Sequence, residues 1–378
     1  MSADKTQIGV IVSSYQRPHH LMRTLTSIAL QQGVEGEFEV VISDDGSEDE
    51  TAELVQEFAG QVDFPITFVT HPHDGFQLAR CRNEGATASS ARYLLFVDGD
   101  CILPPNHLAE HLKRRQPGVV MGGDCVRLDE QTSDQVTLQS LHEGLFPATP
   151  RRENQRMRRQ ARKAWFYNLV RHPTKPKLIG NNIGIWWDDY QQLNGYDQNF
   201  VGWGCEDDDL RLRAHRAGLK VKSILNWTYT YHLWHPTEET QPDDWKNGLN
   251  VAYLKRPIRL TRCLNGITKR SSDELVVRMI GSPVEKTVVE TVTPQLANLS
   301  AGEERTEVEV LFLPGQGNFS GNADCNILVV TGKSHKAERF VSQADMVLMA
   351  SPSSSSGDDH RPLIFRLDQF SEALKKVA

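Results

Sequence analysis

Between residues 7 and 100 the chain alternates two hydrophobic periods. Short apolar runs (IGVIV within 7–13, FEVVIS at 38–43, ITFVT at 66–70, RYLLFV at 92–97) have strand length and are rich in β-branched residues. The segments between them, at 20–31, 48–58 and 77–88, repeat apolar positions every three or four residues, as helices do. Ser47 and Glu50 have the spacing of a capping box and predict a helix that opens at Glu48. Strand and helix in strict alternation predict a parallel sheet covered on both faces. Beyond Gly118 the pattern loosens. It predicts a strand at 119–123, a strand or hairpin arm at 178–187 (LIGNNIGIWW), a helix from Glu206 closed by Gly218, and extended segments at 220–223 and 227–232. From Asn265 onward a second set begins, with strands at 306–313, 326–331 and 345–350 and helices at 336–343 and 367–376. SPSSSSGDDHRP reads as a loop and GQGNFSG as a plain turn.

In an open parallel sheet, ligands bind beyond the carboxyl ends of the strands. That rule selects Ser13, Tyr15 and Arg17 after the first strand, Asp44 and Asp45 after the second, and Asp98 and Asp100 of the DGD after the fourth. Right-handed crossovers bring these ends together in one acid-rich crevice. A hard cation held by one or two carboxylates plus substrate phosphates suits such a pocket. Neither GxxxxGK[ST] nor GxGxxG follows the first strand, so a metal-bridged diphosphate fits better than one cradled by glycines.

Composition narrows the partners. A net charge of −7 and 24% charged residues carry no global bias toward nucleic acid, and none is expected as a partner. Six cysteines without a CxxC pair suggest neither a zinc site nor a disulfide scaffold, and reduced thiols are the simplest reading. The first apolar run is too short for a signal-peptide core, and no window approaches the roughly 18 apolar residues of a membrane span, so a cytoplasmic protein is expected. Locally, residues 151–177 hold ten Lys/Arg against one acid, Glu153, with Trp165, Phe166, Tyr167 and Leu169 interleaved. Two readings fit this segment: a solvated helix covering the domain, or a basic amphipathic segment on anionic lipid or over an anionic substrate. The second would attach the protein to the inner face of a membrane peripherally.

The stretch FVGWGCEDDDL at 200–210 sets Trp203 between glycines and then places four acids in a row, Glu206, Asp207, Asp208 and Asp209. A helix start accounts for part of it, because the dipole favours acids in a first turn and Asp207/Arg211 and Asp209/Arg213 have i,i+4 spacing. It does not account for Trp203. Downstream, His232 and His235 form an aromatic-flanked HxxH, a pattern that is more often structural than metal-binding.

Taken together, VIVSSYQRPHHL, VVISDDGSEDET, CRNEG with LLFVDGDCILPP, and GNNIGIWW…LNGYDQNFVGWGCEDDDLRLR resemble family-2-type glycosyltransferases. The second half is similar to the galactosyltransferase C-terminal region shared with β-1,4-galactosyltransferases and chondroitin polymerases. The resemblance covers about residues 7 to 235. It implies an α/β chain with a GT-A fold, the Rossmann-like, mostly parallel sheet of nucleotide-diphospho-sugar transferases. The expected domains are 1–264, with a nucleotide-binding half at 1–117 and an acceptor-binding half at 118–264, and a small C-terminal α/β domain at 265–378 that the resemblance does not reach.

The resemblance also implies roles. Asp45 contacts the base of a nucleotide-sugar, usually UDP-linked, with Ser13, Tyr15, Arg17, Phe76, Arg82 and Asp98 completing the nucleotide site. Asp98 lies near the ribose, and Asp98, Asp100 and His232 serve a Mn2+ or Mg2+ ion, with His235 second to His232. Surface salt bridges would explain Arg17 and Arg82 equally well. Trp203, Asn182 and Glu206 face the sugars, and Asp207 is the general base of an inverting transfer to a glycan, glycoconjugate or lipid-linked acceptor. Related retaining enzymes have Glu-Asn where this chain has Glu206-Asp207. The chain departs from the vertebrate-type pattern at Gly204-Cys205, where two glycines are usual, so the donor is not presumed to be galactose. A catalytically silent nucleotide-sugar-binding module and a metal-dependent nucleotidyltransferase are the alternatives.

Overall fold

The runs that are apolar throughout become the centre of a sheet. In the computed structural model β1 (Ile8–Ser14) and β2 (Phe38–Asp44) are buried at every position, as strands covered on both faces must be. The structure describes residues 6–34, 37–236, 245–256, 258–271, 274–282, 288, 292, 306–331, 337–349, 362–366 and 369–370. The chain divides into two units, Met1–Leu254 and Lys255–Ala378, a boundary earlier than the expected 264/265.

The first unit continues with α1 (Pro18–Ala29), α2 (Thr51–Ala59), β3 (Ile66–Thr70), α3 (Leu78–Ala88), β4 (Tyr93–Asp98), β5 (Cys101–Ile102), α4 (His107–Arg114), β6 (Val119–Gly122) and β7 (Cys125–Arg127). Then follow α5 (Glu130–Gln135), α6 (Leu138–His142), α7 (Arg151–Leu169), β8 (Ile183–Trp186), α8 (Trp187–Gln192), α9 (Glu206–Arg216), β9 (Lys220–Ser223), β10 (Thr230–His232) and α10 (Leu249–Leu254). The main sheet has the order β3-β2-β1-β4-β8-β6-β9. Its first four strands are parallel, and β8 runs antiparallel to both β4 and β6. A second, three-stranded sheet has the order β5-β10-β7.

Strand order reverses between β1 and β4, and the register there sets Ser13 opposite both Ser43 and Asp98. This is the switch point at which such sheets open a crevice. Beneath it Val10, Val12, Val40, Ile42, Leu95 and Val97 pack with Leu21, Leu25 and Val55 from α1 and α2.

Two local expectations are corrected. The helix predicted from Glu48 starts at Thr51, and its N-cap Glu50 receives no side-chain hydrogen bond. Ser47 is recruited by Asp44, which accepts from its amide and its hydroxyl, so no capping box forms. The arm predicted at 178–187 is a strand only from Ile183, because Gly180 and Asn181 turn into the cleft wall before it.

Among its described residues the second unit holds five parallel strands, β11 (Val277–Ile280), β12 (Val308–Leu313), β13 (Cys325–Val330), β14 (Met346–Met349) and β15 (Leu363–Arg366), in sequential order. A short helix, Ala337–Val341, stands where one was expected. Most of the predicted helix at 367–376 and of the 351–362 loop lies outside the described residues. GQGNFSG carries no helix behind it, as its sequence suggests.

Candidate active site

At the carboxyl ends of β1, β2 and β4 the first unit opens a cleft of about 580 Å³. Ser13, Tyr15, Arg17, Asp45, Phe76, Arg82, Asp98, Asp100, Trp203, Glu206, Asp207, His232 and His235 line it, although they come from segments more than two hundred residues apart. Asn182 does not line it. It is fully buried, with His111 Nε2 3.0 Å from its Oδ1, and its neighbour Asn181 takes the place at the cleft. Adjacent residues entering a strand point opposite ways, so only one asparagine of the GNN turn can face outward.

Just beyond the end of β2, Asp45 is held from both sides. Its Oδ1 lies 2.8 Å from His71 Nε2, and its Oδ2 accepts from the Gln77 amide at 2.9 Å. His71 is itself positioned by Glu84, 2.6 Å from its Nδ1. The ring of Tyr15 stacks on His73, with centroids 4.4 Å apart. Ser13 Oγ is buried in the cleft wall without a hydrogen-bond partner, a hydroxyl left for a ligand.

Arg82 lies at the middle of the cleft and is nearly inaccessible at 2% exposure. Its Nη2 is 3.2 Å from Asp98, and its Nη1 lies 3.0 Å from Asp207 and 3.4 Å from Glu206. Its guanidinium also lies 5.0 Å from the Tyr196 ring, whose hydroxyl donates to Asp207 Oδ1 at 3.2 Å. The salt-bridge reading of Arg82 is thus realised, but between catalytic candidates and not on the surface. Burial pushes the Glu206 carboxyl up to about 7, and the neighbouring Asp207 charge adds to the rise against the opposing effect of Arg82. Burial raises Asp98 as well, with Arg82 opposing.

Asp207 is further fixed by the Gly180 amide, which donates to Oδ2 at 2.8 Å. Gly180 has no room for a side chain, since a Cβ there would lie 2.3 Å from Arg82 Nη2 and 2.7 Å from Asp207 Oδ1. The turn before α9 is left-handed at Gly202, Gly204 and Cys205 (φ 78°, 91° and 79°), which explains its glycines. That turn carries Trp203 to the cleft wall, edge-on to Trp245 at 5.6 Å. The Asp207/Arg211 pair expected from spacing does not form, because Asp207 turns toward Arg82 and Arg211 binds Asp208 at 2.7 Å. Asp209 does pair with Arg213, at 2.6 Å, but in a fully buried bridge and not on a solvated face.

The metal candidates meet at the other end. β10 pairs antiparallel with β5, which sets His232 opposite Cys101 and next to Asp100. His232 Nε2 is 3.5 Å from Asp100 Oδ1, His235 Nε2 is 3.1 Å from Oδ2, and Arg17 lies 3.6 Å away. Burial alone would raise Asp100, but the His235 hydrogen bond and the His232, His235 and Arg17 charges bring it down to about 2. His235 is raised in turn, first by its hydrogen bond with Asp100. One ligand atom each from Asp100, His232 and His235 lies within 4.8 Å of the others, a donor set that fits a divalent cation. Asp98 is near enough to join Asp100 in a second grouping.

Sequence reasoning passed over Tyr196, His71, Gly180 and Asn181, which hold the carboxylates or line the cleft. Tyr196 and Gly180 do stand inside quoted motifs, NGYD and GNN, and that was the available signal.

Comparison with known proteins agrees with this geometry. Residues 9–174 match the family model described as glycosyl transferase family 2, and residues 164–236 match that described as N-terminal domain of galactosyltransferase. Validoxylamine A glucosyltransferase of Streptomyces hygroscopicus subsp. limoneus is 29% identical over 230 residues, covering 57% of this chain and 49% of that protein. Chondroitin synthase of Escherichia coli is 24% identical over 254 residues, covering 62% of this chain and 36% of that protein. The chain thus spans half or less of the length of these relatives. Among solved structures, the Pyrobaculum calidifontis mannosyltransferase PcManGT, in complex with GDP-Man and Mn2+, is similar at 17% identity with a TM-score of 0.44, covering 63% of this chain and 59% of that one. Both family matches fall within the first unit, and with the sheet order and the cleft they make that unit a family-2-type glycosyltransferase domain of GT-A fold, with a galactosyltransferase-type segment at 164–236.

Proposed function

We propose that the first unit transfers a sugar from a nucleotide-sugar, UDP-linked, to a glycan or glycoconjugate acceptor with inversion, using a divalent cation and Asp207 as general base. The observation that carries this reading is the state of Asp207. A carboxylate offers about four lone-pair sites. Arg82 and Tyr196 occupy two on Oδ1 and Gly180 one on Oδ2, which leaves one on Oδ2, on a side chain that lines the cleft. An acceptor hydroxyl bound there gives its proton to Oδ2 as its oxygen bonds to the anomeric carbon. The bond from that carbon to the diphosphate oxygen breaks on the opposite face. One displacement with one base inverts the centre.

Asp100, His232 and His235, with Asp98 beside them, would hold the cation, and its chemistry is to offset charge gathering on the departing diphosphate. Two imidazoles among the donors favour Mn2+ over Mg2+, which prefers oxygen ligands throughout. Arg17 adds a positive charge at the same end. Asp45 and its two supports are suited to a base with a donor group on its edge, such as the N3–H of uracil. Relatives named for glucosyl transfer and for chondroitin synthesis support a sugar donor and a glycan acceptor.

A screen of UDP- and GDP-sugars with Mn2+, read as nucleotide release, tests the proposal. Release from a UDP-sugar that stops on chelation and is weakened by His232→Ala and His235→Ala is expected. UDP binding without turnover of any donor would leave a silent binding module. Pyrophosphate release from a nucleoside triphosphate would make the protein a nucleotidyltransferase.

A further inference from the structure

Helix α7 packs by one side only. Met157 and Ala161 join the cluster around Ile102 and Leu225, Ala164 is buried, and Asn168 donates to the Val221 carbonyl at 2.8 Å. At 100° per residue these anchors fall on one stripe. The opposite side carries Arg158, Arg159, Arg162 and Lys163, all exposed, and then four large apolar side chains. Trp165 is 67%, Phe166 53%, Leu169 64% and Val170 50% exposed. No carboxylate stands among them. The one acid of the helix, Glu153, is held by Arg156 at 2.8 Å.

Exposed aromatic and aliphatic side chains beside unpaired cations are the composition of a helix that lies in a membrane interface. A polyanion such as nucleic acid or a charged glycan would use the cations but gain little from Leu169 and Val170. The chain as a whole has a net charge of −7, so attraction to an anionic surface has to come from this local patch. Among the described residues no helix is long and apolar enough to cross a membrane, so contact through α7 would be peripheral.

We propose that α7 docks flat on a bilayer containing anionic lipid, with Trp165, Phe166, Leu169 and Val170 at the headgroup–acyl boundary and the four basic residues on the headgroups. Residues 171–177 lead from this face directly to Lys177, Gly180 and Asn181 in the cleft wall, so a docked enzyme presents its acceptor side to lipid-linked material. The docking surface goes beyond the transferase reading, and its test does not depend on turnover.

Flotation of the full chain with phosphatidylcholine vesicles, and with phosphatidylcholine–phosphatidylglycerol vesicles, reads the partition directly. Binding to the anionic vesicles alone, weakening with salt, is expected. Arg158→Glu with Arg162→Glu should lower it by roughly fivefold or more per residue changed. Trp165→Ala with Leu169→Ala should lower it too, and should abolish a blue shift of tryptophan emission on vesicle addition. All four positions are exposed, so melting curves and UDP binding should match the parent protein and show that the nucleotide site is intact. Absence of binding to anionic vesicles, binding by both variants as strong as the parent's, or retention on heparin without any vesicle binding would overturn the proposal.

Discussion

Replacing Asp207 with asparagine separates the chemistry of the carboxylate from its place in the structure. The amide keeps one oxygen, which stays at the Oδ1 position between Arg82 Nη1 and the Tyr196 hydroxyl, 3.0 and 3.2 Å away. The NH2 group then replaces Oδ2 and faces the Gly180 amide, which donated to it at 2.8 Å. One hydrogen bond is lost and two donors oppose each other, at a cost of about 0.5–1.5 kcal/mol. For a unit of this size that lowers the melting temperature by about 1–6 °C. The catalytic effect is far larger, because the free lone pair on Oδ2 that would receive the acceptor proton is gone. Loss of a positioned general base costs about 10²- to 10⁴-fold in rate. Nucleotide release from the donor selected by the UDP-sugar screen, measured with a saturating acceptor, should fall by that amount, while calorimetry still detects UDP. Turnover within tenfold of the parent enzyme, with the fold intact, would refute both the base assignment and the lone-pair argument behind it.

Other expectations follow from the same geometry. Gly180→Ala puts a methyl group where Arg82 and Asp207 meet, and a displacement of about 1 Å there should cost about 10²-fold in turnover, measured by the same release assay with UDP affinity little changed. Glu206 has its carboxyl raised from 4.5 to about 7, so the folded chain binds that proton more tightly than the unfolded one and stability declines as pH rises across this window. Glu206→Gln should flatten that decline in urea titrations of the metal-free protein, and identical slopes would contradict it. Arg213→Met removes the ion-pair partner of the fully buried Asp209 and the hydrogen bonds to the Leu193 and Gly195 carbonyls, which should destabilise the first unit by about 3–5 kcal/mol in denaturant unfolding. Arg213→Met with Asp209→Leu should recover most of that loss.

Much of this protein can be read from its sequence because strand-length apolar runs bury both faces and strand ends collect the polar groups. The β1–β4 pattern, the crevice acids Asp45, Asp98 and Asp100, and the glycine turn before Glu206 and Asp207 are all local in origin, set by backbone period and by φ values that favour glycine. What no local pattern contains is the partner of each charge. Spacing pairs Asp207 with Arg211, whereas burial of Arg82 among three carboxylates draws Asp207 to the cleft and leaves Arg211 to Asp208. Spacing likewise makes Asp209 a surface helix-start residue, yet it is sealed in the core with Arg213. The pairing of β10 with β5 brings His232 and His235 to Asp100, and nothing in HxxH announces it. Nor does GNN show which asparagine faces outward, since that depends on where the turn enters β8. Periodicity and turn chemistry act over a few residues and belong to the sequence alone. Charge pairing in a dry interior is chosen by which groups the folded chain brings within a few ångströms, and only the tertiary structure decides that.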